Sequence, residues 1–146
     1  LTLDGSLASA SAGQSVTILL DEYLDISRGD MLASAEQAPT QLKTVSADLC
    51  WLSEDALDPR RKYWLKHTTK QVAVRVAKID TLLDINTQQR HPAESLKLND
   101  IARVSINVQQ AIAADSYDAI RATGAFILID EVTHQTVAAG MIRLDA

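Results

Sequence analysis

The last part of the chain carries two apolar extended runs on either side of one polar turn. In residues 125–129 both parities are apolar, which is typical of a strand that is buried on both faces. A polar connection at 131–135 follows, and the chain returns through a second apolar run at 136–142. We therefore predict a β-hairpin here. The small residues at 138–140 leave room for another element to approach the backbone, as inside a barrel or between two packed sheets.

Further apolar runs with a two-residue period predict additional strands upstream of this hairpin. Including the hairpin, the pattern predicts strands at 44–52, 62–69, 71–80, 82–88, 101–108, 125–129 and 136–142. No stretch keeps a 3.6-residue period for three turns, and only 116–121 suits a brief helical turn, with Asp115 or Ser116 as its N-cap. So many strands in about 100 residues predict an all-β fold, a closed or nearly closed antiparallel barrel.

The first part of the chain has its own, shorter pattern. Short strands are predicted at 1–3, 7–12, 15–20 and 31–33, with a turn at 27–30, and these are too few to close on themselves. Residues 37–43 contain Pro39 and have no apolar period, so they are predicted to connect two domains. The predicted organisation is an incomplete β-domain at 1–36, a linker at 37–43 and a complete barrel at 44–146. Because the chain opens abruptly in a strand-like segment, we expect it to be a piece of a longer protein.

One face of the 15–20 strand is apolar and would lack its partner strands. Val16, Ile18 and Leu20 share this face, opposite Ser15 and Thr17. An exposed apolar strand face tends to become buried against another surface. We expect this face to pack on the barrel or to mediate self-association with another copy of the chain.

Composition narrows the class of protein. Of the 146 residues 47% are hydrophobic but only 4% are aromatic, so the core is expected to be aliphatic. A net charge of -5 argues against a nucleic-acid-binding surface. The apolar runs are too short to cross a bilayer, and no leader opens the chain. A single cysteine, Cys50, has no partner for an internal disulfide, which favours a reducing cytoplasm.

Motifs for catalysis or for cofactor and metal binding were not found. The sequence has no Gly-Lys pair of a phosphate-binding loop, no GxSxG, no HExxH and no zinc-spaced cysteines. Three dispersed histidines do not predict a metal site: His67 lies in a predicted strand, whereas His91 and His134 are expected at the surface. Cys50 is expected to be a packed side chain rather than a reactive thiol. Two carboxylate pairs could in principle serve acid–base catalysis, Asp80 with Asp84 and Asp115 with Asp118. We expect these side chains to make local hydrogen bonds instead, as Asp does at strand ends and in turns.

The basic cluster is the one candidate for a contact surface. Arg60, Arg61, Lys62 and Lys66 fall close together and surround the aromatic pair at 63–64. Two interpretations stay open, a solvated loop or a contact patch for a partner or a phosphate-bearing ligand.

Several motifs in order resemble one family. AGQSVTILL and DISRGDML resemble the end of the second domain of translation-factor-type GTPases, and the DISRGD version resembles the GTPase subunit of bacterial ATP sulfurylase. Further motifs resemble the third domain of that subunit: YWLKHTT at 63–69, LNDI at 98–101, TGAFILID at 123–130 and the run 136–142. Two positions depart from the family pattern, the Asp-Pro-Arg-Arg at 58–61 and Ile120, where an asparagine is expected.

The resemblance implies a barrel like the third domain of elongation factor Tu, preceded by the last strands of a second barrel. It implies a parent that forms adenylylsulfate and pyrophosphate from ATP and sulfate, driven by GTP hydrolysis. GTP and Mg would bind in a GTPase domain that is absent here, and a separate catalytic subunit would carry out adenylyl transfer. The implied role of this chain is to brace the GTPase domain and to contact the catalytic subunit. In some relatives an adenylylsulfate kinase domain follows.

Two other hypotheses for the function stay open. The barrel could be an interaction module of another translation-factor-type GTPase, including one that contacts RNA, although this rests on fold analogy alone and the net charge argues against it. It could also be a carrier that binds a small ligand in its interior, against which the doubly apolar strands argue.

Overall fold

The computed structural model describes residues 5–144. The elements are β1 (Thr40–Trp51), β2 (Tyr63–His67), β3 (Lys70–Leu83), β4 (Arg90–His91), β5 (Ile101–Ala114), the short helix α1 (Arg121–Gly124), β6 (Ala125–Asp130) and β7 (Thr136–Ile142). A single 3-10 turn at Ala35–Gln37 precedes β1. No helix within 5–144 has both the length and the apolar character needed to cross a bilayer.

Six antiparallel strands close into a barrel. The hydrogen-bonded order is β2-β6-β7-β1-β5-β3, and an additional β2–β3 pairing closes the ring. The two-residue strand β4 pairs with the end of β3 outside this ring. The predicted all-β antiparallel barrel is therefore confirmed.

The barrel interior is filled by aliphatic side chains. Along β1, Val45, Ala47, Leu49 and Trp51 point inward and are buried. Loop residues close one end, where Leu57 and Leu96 are buried and the Leu57 amide donates to the Leu96 carbonyl at 2.9 Å. The core is therefore mainly aliphatic, as the low aromatic content predicts.

The predicted hairpin at the end of the chain is confirmed as β6 and β7. Asp130 organises its turn, because its Oδ1 accepts from the amides of Val132 and Thr133 at 2.8 Å each. Backbone hydrogen bonds from Thr133 hold the pKa of Asp130 below its usual range; burial opposes this, and the Val132 amide and Arg61 assist it. His134 adopts a left-handed φ of 59° within the turn.

Gly140 in β7 lies under the ring of Phe126 in β6, its cross-strand partner. A methyl group built on Gly140 would overlap that ring, and Phe126 is 4% exposed. The close approach that the small residues at 138–140 predict is therefore present.

Gly140→Ala is expected to destabilise the barrel by about 2 kcal/mol, since the overpacked ring must leave its position. Chemical denaturation measures the loss, and Phe126→Leu in the same chain is expected to recover part of it. Additive losses in the double variant would show that the ring is not the obstacle.

Two of the predicted strands form one continuous strand. β3 runs through Lys70–Leu83 because register shifts between Val76 and Lys78 and between Ile79 and Thr81 let pairing with β5 continue. Beyond Leu83 the strand predicted at 82–88 is wrong, since the chain turns there. Asp84 Oδ1 accepts from the Asn86 amide at 2.8 Å, and Gln88 has a φ of 57°.

The ends of other strands also differ from the predictions. β5 continues to Ala114 rather than ending at 108, and β1 begins at Thr40, inside the predicted linker. These extensions pair with each other, Thr40 with Ala114. The predicted helical turn at 116–121 appears as a turn at 117–119, and α1 begins after the extended residue Ile120. The division at 36 and 43 stays a prediction.

The first part of the chain forms no strand within residues 6–34. The strands predicted at 7–12, 15–20 and 31–33 are therefore wrong for this structure, and the one predicted at 1–3 lies outside the described residues. The six strands of the ring pair with one another and β4 pairs with β3, and none of these strands pairs with residues 6–34. The turn at 27–30 is present, with the Ser27 amide donating to Asp30 Oδ2 at 2.9 Å.

Candidate interaction surface

The loop before β2 positions the first two residues of the predicted basic cluster. Arg60 is 92% exposed and its Nε lies 3.3 Å from Asp58 Oδ1. Arg61 places Nη1 3.3 Å from Oδ2 of the buried Asp130, so it also anchors the β6–β7 turn. Arg61 therefore has a structural role in addition to its predicted contact role.

Lys62, just before β2, lies beside a small cavity over β3 and β5. The cavity has a volume of about 260 Å³, and Lys62 shares its lining with Arg75, Asn107 and Gln109. Two cations and two amides give this cavity a polar, positive wall. It is separate from the surface where Lys66 lies.

Lys66 points outward from β2 and lies at the margin of a larger groove on the side wall of the barrel. The groove crosses β2, β6, β7 and β1 and has a volume of about 610 Å³. Strand register aligns outward side chains across it in one row: Lys66 opposite Ile127, Ile127 opposite Ala139, Ala139 opposite Cys50, and Cys50 opposite Ile101. We call this surface the side groove. Its lining is mostly apolar.

Tyr117 borders the side groove from the loop before α1. Its amide donates to the carbonyl of Ile142 at 2.9 Å, which fixes the loop to the end of β7. The guanidinium of Arg121 lies 5.9 Å from the centre of the Tyr117 ring, a cation–π distance.

Asp48 lines the side groove, and its carboxylate contacts three arginine side chains. Its carboxylate accepts from Arg103 Nε at 2.7 Å and from Arg143 Nε at 2.8 Å, and Arg90 approaches it to 3.8 Å. Arg143 also pairs with Asp118. Burial of Asp48 disfavours its charged form, but the hydrogen bonds from Arg103 and Arg143 outweigh this and lower the pKa of the carboxyl. The sequence pattern does not predict this network, because its only local signal is a carboxylate at an outward position of an apolar strand.

The remaining residues considered from the sequence have structural partners. His67 is 2% exposed and its ring Nε2 lies 2.7 Å from the Thr123 carbonyl, to which it donates. His91 and His134 are exposed, as predicted. Cys50 is half-buried and lies on the outer wall, in the side groove rather than in the core. Among residues 5–144, no three His, Cys, Asp or Glu side chains are grouped to hold a metal ion.

Of the two carboxylate pairs, only Asp84 makes the predicted local hydrogen bonds; the other three carboxylates bond to side chains at least eight positions away in the sequence. Asp80 accepts from Ser105 Oγ at 2.9 Å, and Asp84 accepts from two amides of its own turn. Asp115 accepts from Thr123 Oγ1 at 2.6 Å, while Asp118 pairs with Arg143.

A family model described as GTP-eEF1A C-terminal domain-like matches residues 44–143, which include all of the barrel except the first four residues of β1. The chain belongs to this family. The match includes the side groove, the Asp48 network and all four residues of the basic cluster.

Curated relatives cover nearly the whole chain. A protein of Saccharophagus degradans named sulfate adenylyltransferase subunit 1 is 44% identical over 97% of the chain, and one of Psychromonas ingrahamii with the same name is 42% identical over 97%. A Mycobacterium tuberculosis protein named bifunctional enzyme CysN/CysC is 42% identical over 97% of the chain. The chain spans 30%, 30% and 24% of these relatives. The resemblance predicted from the sequence motifs is confirmed.

Solved structures of a translation factor share the fold. Sup35 bound to GDP aligns with a TM-score of 0.66 and 19% identity, covering 75% of this chain and 27% of the other. Sup35 bound to GMPPNP aligns with a TM-score of 0.67 and 18% identity at the same coverage. At this identity the likeness concerns the fold alone.

Proposed function

We propose that this chain is the C-terminal part of the GTP-hydrolysing subunit of a sulfate adenylyltransferase, the enzyme that forms adenylylsulfate and pyrophosphate from ATP and sulfate. The observation that carries the proposal is the identity of 42–44% with proteins of that name over 97% of the chain. The chain itself performs no bond chemistry in this proposal. It braces the GTPase domain of the parent, which holds GTP and Mg, and contacts the catalytic subunit.

The packed interior supports a positioning role. Aliphatic side chains fill the barrel, and every buried side-chain nitrogen or oxygen within 5–144 has a hydrogen-bond partner. A small-ligand site needs a concave space with a few convergent polar groups. The filled interior therefore argues against the carrier hypothesis and leaves the outer wall for recognition.

Two finer features belong to the same proposal. The cytoplasm is the proposed compartment, since the only cysteine of the chain is a free thiol. Self-association through Val16, Ile18 and Leu20 is also proposed, because Ile18 is 60% and Leu20 is 43% exposed.

A chimera tests the proposal. In full-length Saccharophagus degradans subunit 1, the region that matches this chain over 142 residues is replaced by the chain. The chimera is expected to bind the catalytic subunit of that organism and to retain GTP-dependent adenylylsulfate formation. The same subunit truncated before this region is expected to lose both. A well-folded chimera that does not bind the catalytic subunit would contradict the proposal.

The same chimera tests the predicted contact role of the basic cluster. Arg60→Ala with Lys62→Ala is expected to slow association with the catalytic subunit most strongly at low salt, because exposed charges act mainly on the association rate. Arg61→Ala is a separate variant, since it also removes the partner of Asp130.

A further inference from the structure

We infer that the side groove receives a segment of the catalytic subunit that carries apolar side chains together with at least one carboxylate. The inference rests on the proposed function and assigns the partner contact to one surface of the barrel. Within the predicted basic cluster it selects Lys66, and it adds the apolar row from Ile127 to Ile101.

The floor of the groove suits apolar side chains. The register places Ile127, Ala139, Cys50 and Ile101 side by side on four neighbouring strands. The short side chains of Ala139 and Cys50 leave a depression between the larger Ile127 and Ile101. A volume of about 610 Å³ is within the range of roughly 300–1,000 Å³ in which proteins bury a whole ligand or an anchoring group.

Positive charge lies at one margin of the groove and next to the opposite one. Lys66 is exposed at the β2 margin, and no carboxylate of residues 5–144 forms an ion pair with it. On the β1 side Arg90 does not line the groove itself, but it is 41% exposed and lies 3.8 Å from the lining residue Asp48, whose carboxylate is already held at shorter distance by Arg103 and Arg143. In a chain with a net charge of -5, cations on both sides of an apolar floor favour a partner segment that bears carboxylates.

The first part of the chain leaves this groove open. Residues 26 and 30–32 lie beside Gln41, Lys70 and Ala113, where β1 begins. No residue of 5–34 lines the side groove. The competing occupant is a second copy, since residues 18–26, ILLDEYLDI, are themselves apolar and acidic.

Two substitutions in the chimera test the groove. Ile127→Glu places a carboxylate on the apolar floor, and Lys66→Glu reverses the charge at the margin. Each is expected to weaken binding of the catalytic subunit about tenfold or more by titration calorimetry. The Lys66→Glu effect should shrink at high salt, whereas the Ile127→Glu effect should persist, because salt screens the exposed charge but not the lost apolar contact.

Matched controls keep the test specific. Val132→Glu changes an apolar side chain that is 72% exposed in the β6–β7 turn, and Lys97→Glu reverses an exposed lysine in the loop before β5. Both are expected to bind like the unsubstituted chimera. Circular dichroism and thermal unfolding of all four variants show whether the barrel is intact.

The outcomes separate the two proposals. Unchanged binding by folded Ile127→Glu and Lys66→Glu would overturn the groove assignment and leave the proposed function standing. Failure of the unsubstituted chimera to bind would overturn both. Sedimentation of the chain alone tests whether a second copy occupies the groove. If Ile127→Glu and Leu20→Glu both abolish self-association while binding of the catalytic subunit is unchanged, the groove belongs to another copy and the inference is overturned.

Discussion

Replacement of Trp51 by alanine is expected to lower the free energy of unfolding by about 4 kcal/mol, because it empties the largest side-chain volume in the core. Trp51 is 1% exposed at the end of β1 and meets the ring of Tyr63 edge to face, with centroids 5.8 Å apart and an interplanar angle of 86°. Its Nε1 also donates to the Asp55 carbonyl at 2.8 Å, so the variant loses a loop anchor together with the packing. For a domain of this size such a loss approaches the whole stability.

Urea denaturation followed by circular dichroism measures this loss without relying on tryptophan fluorescence. Trp64→Ala is the matched control, since Trp64 is half-buried and points outward from strand β2. Tyr23→Ala is a second control on a fully exposed ring. The control losses are expected to stay near or below about 1 kcal/mol. Equal losses for Trp51→Ala and Trp64→Ala would mean that the closed end of the barrel contributes no more stability than its outer wall.

The sequence predicts the barrel because its signal is local. Alternation places Val72, Val74 and Val76 on one face of β3, and the structure buries all three. The predicted break near residue 81 fails because a register shift between Ile79 and Thr81 lets β3 stay paired with β5, and such a shift depends on the partner strand. The strand predicted at 15–20 fails for the opposite reason: the local alternation is present in the sequence, but no strand of the described residues pairs with this segment.

The candidate surface was less predictable than the fold. Arg60 to Lys66 are close in sequence, yet Arg61 anchors a turn, Lys62 borders one cavity and Lys66 borders another. The side groove joins residues up to 93 positions apart, from Asp48 to Met141, through the strand order β2-β6-β7-β1. That order is set by closure of the whole barrel, so no local pattern contains it.

The Asp48 network gives the second large effect. Asp48→Asn is expected to lower the free energy of unfolding at neutral pH by about 3 kcal/mol, because Arg103 and Arg143 lose the carboxylate they share in a partly buried site. Asp48 is 8% exposed and bridges β5 and the segment after β7. The variant is therefore expected to loosen β1 from both of its neighbours.

The pH dependence distinguishes this loss from a packing defect. The pKa of Asp48 is lowered below 3.8 in the folded chain, so its contribution is fully present above 3.8 and disappears as the pH falls through the folded-state value. The difference in stability between the unsubstituted chain and Asp48→Asn should therefore be constant from pH 7 to about 5 and shrink below about pH 4. Asp118→Asn is the control, since this carboxylate pairs with the same Arg143 but is 74% exposed, and its effect is expected to stay below about 1 kcal/mol. A difference for Asp48→Asn that does not change between pH 7 and pH 3 would show that the asparagine disturbs packing rather than the ion pairs.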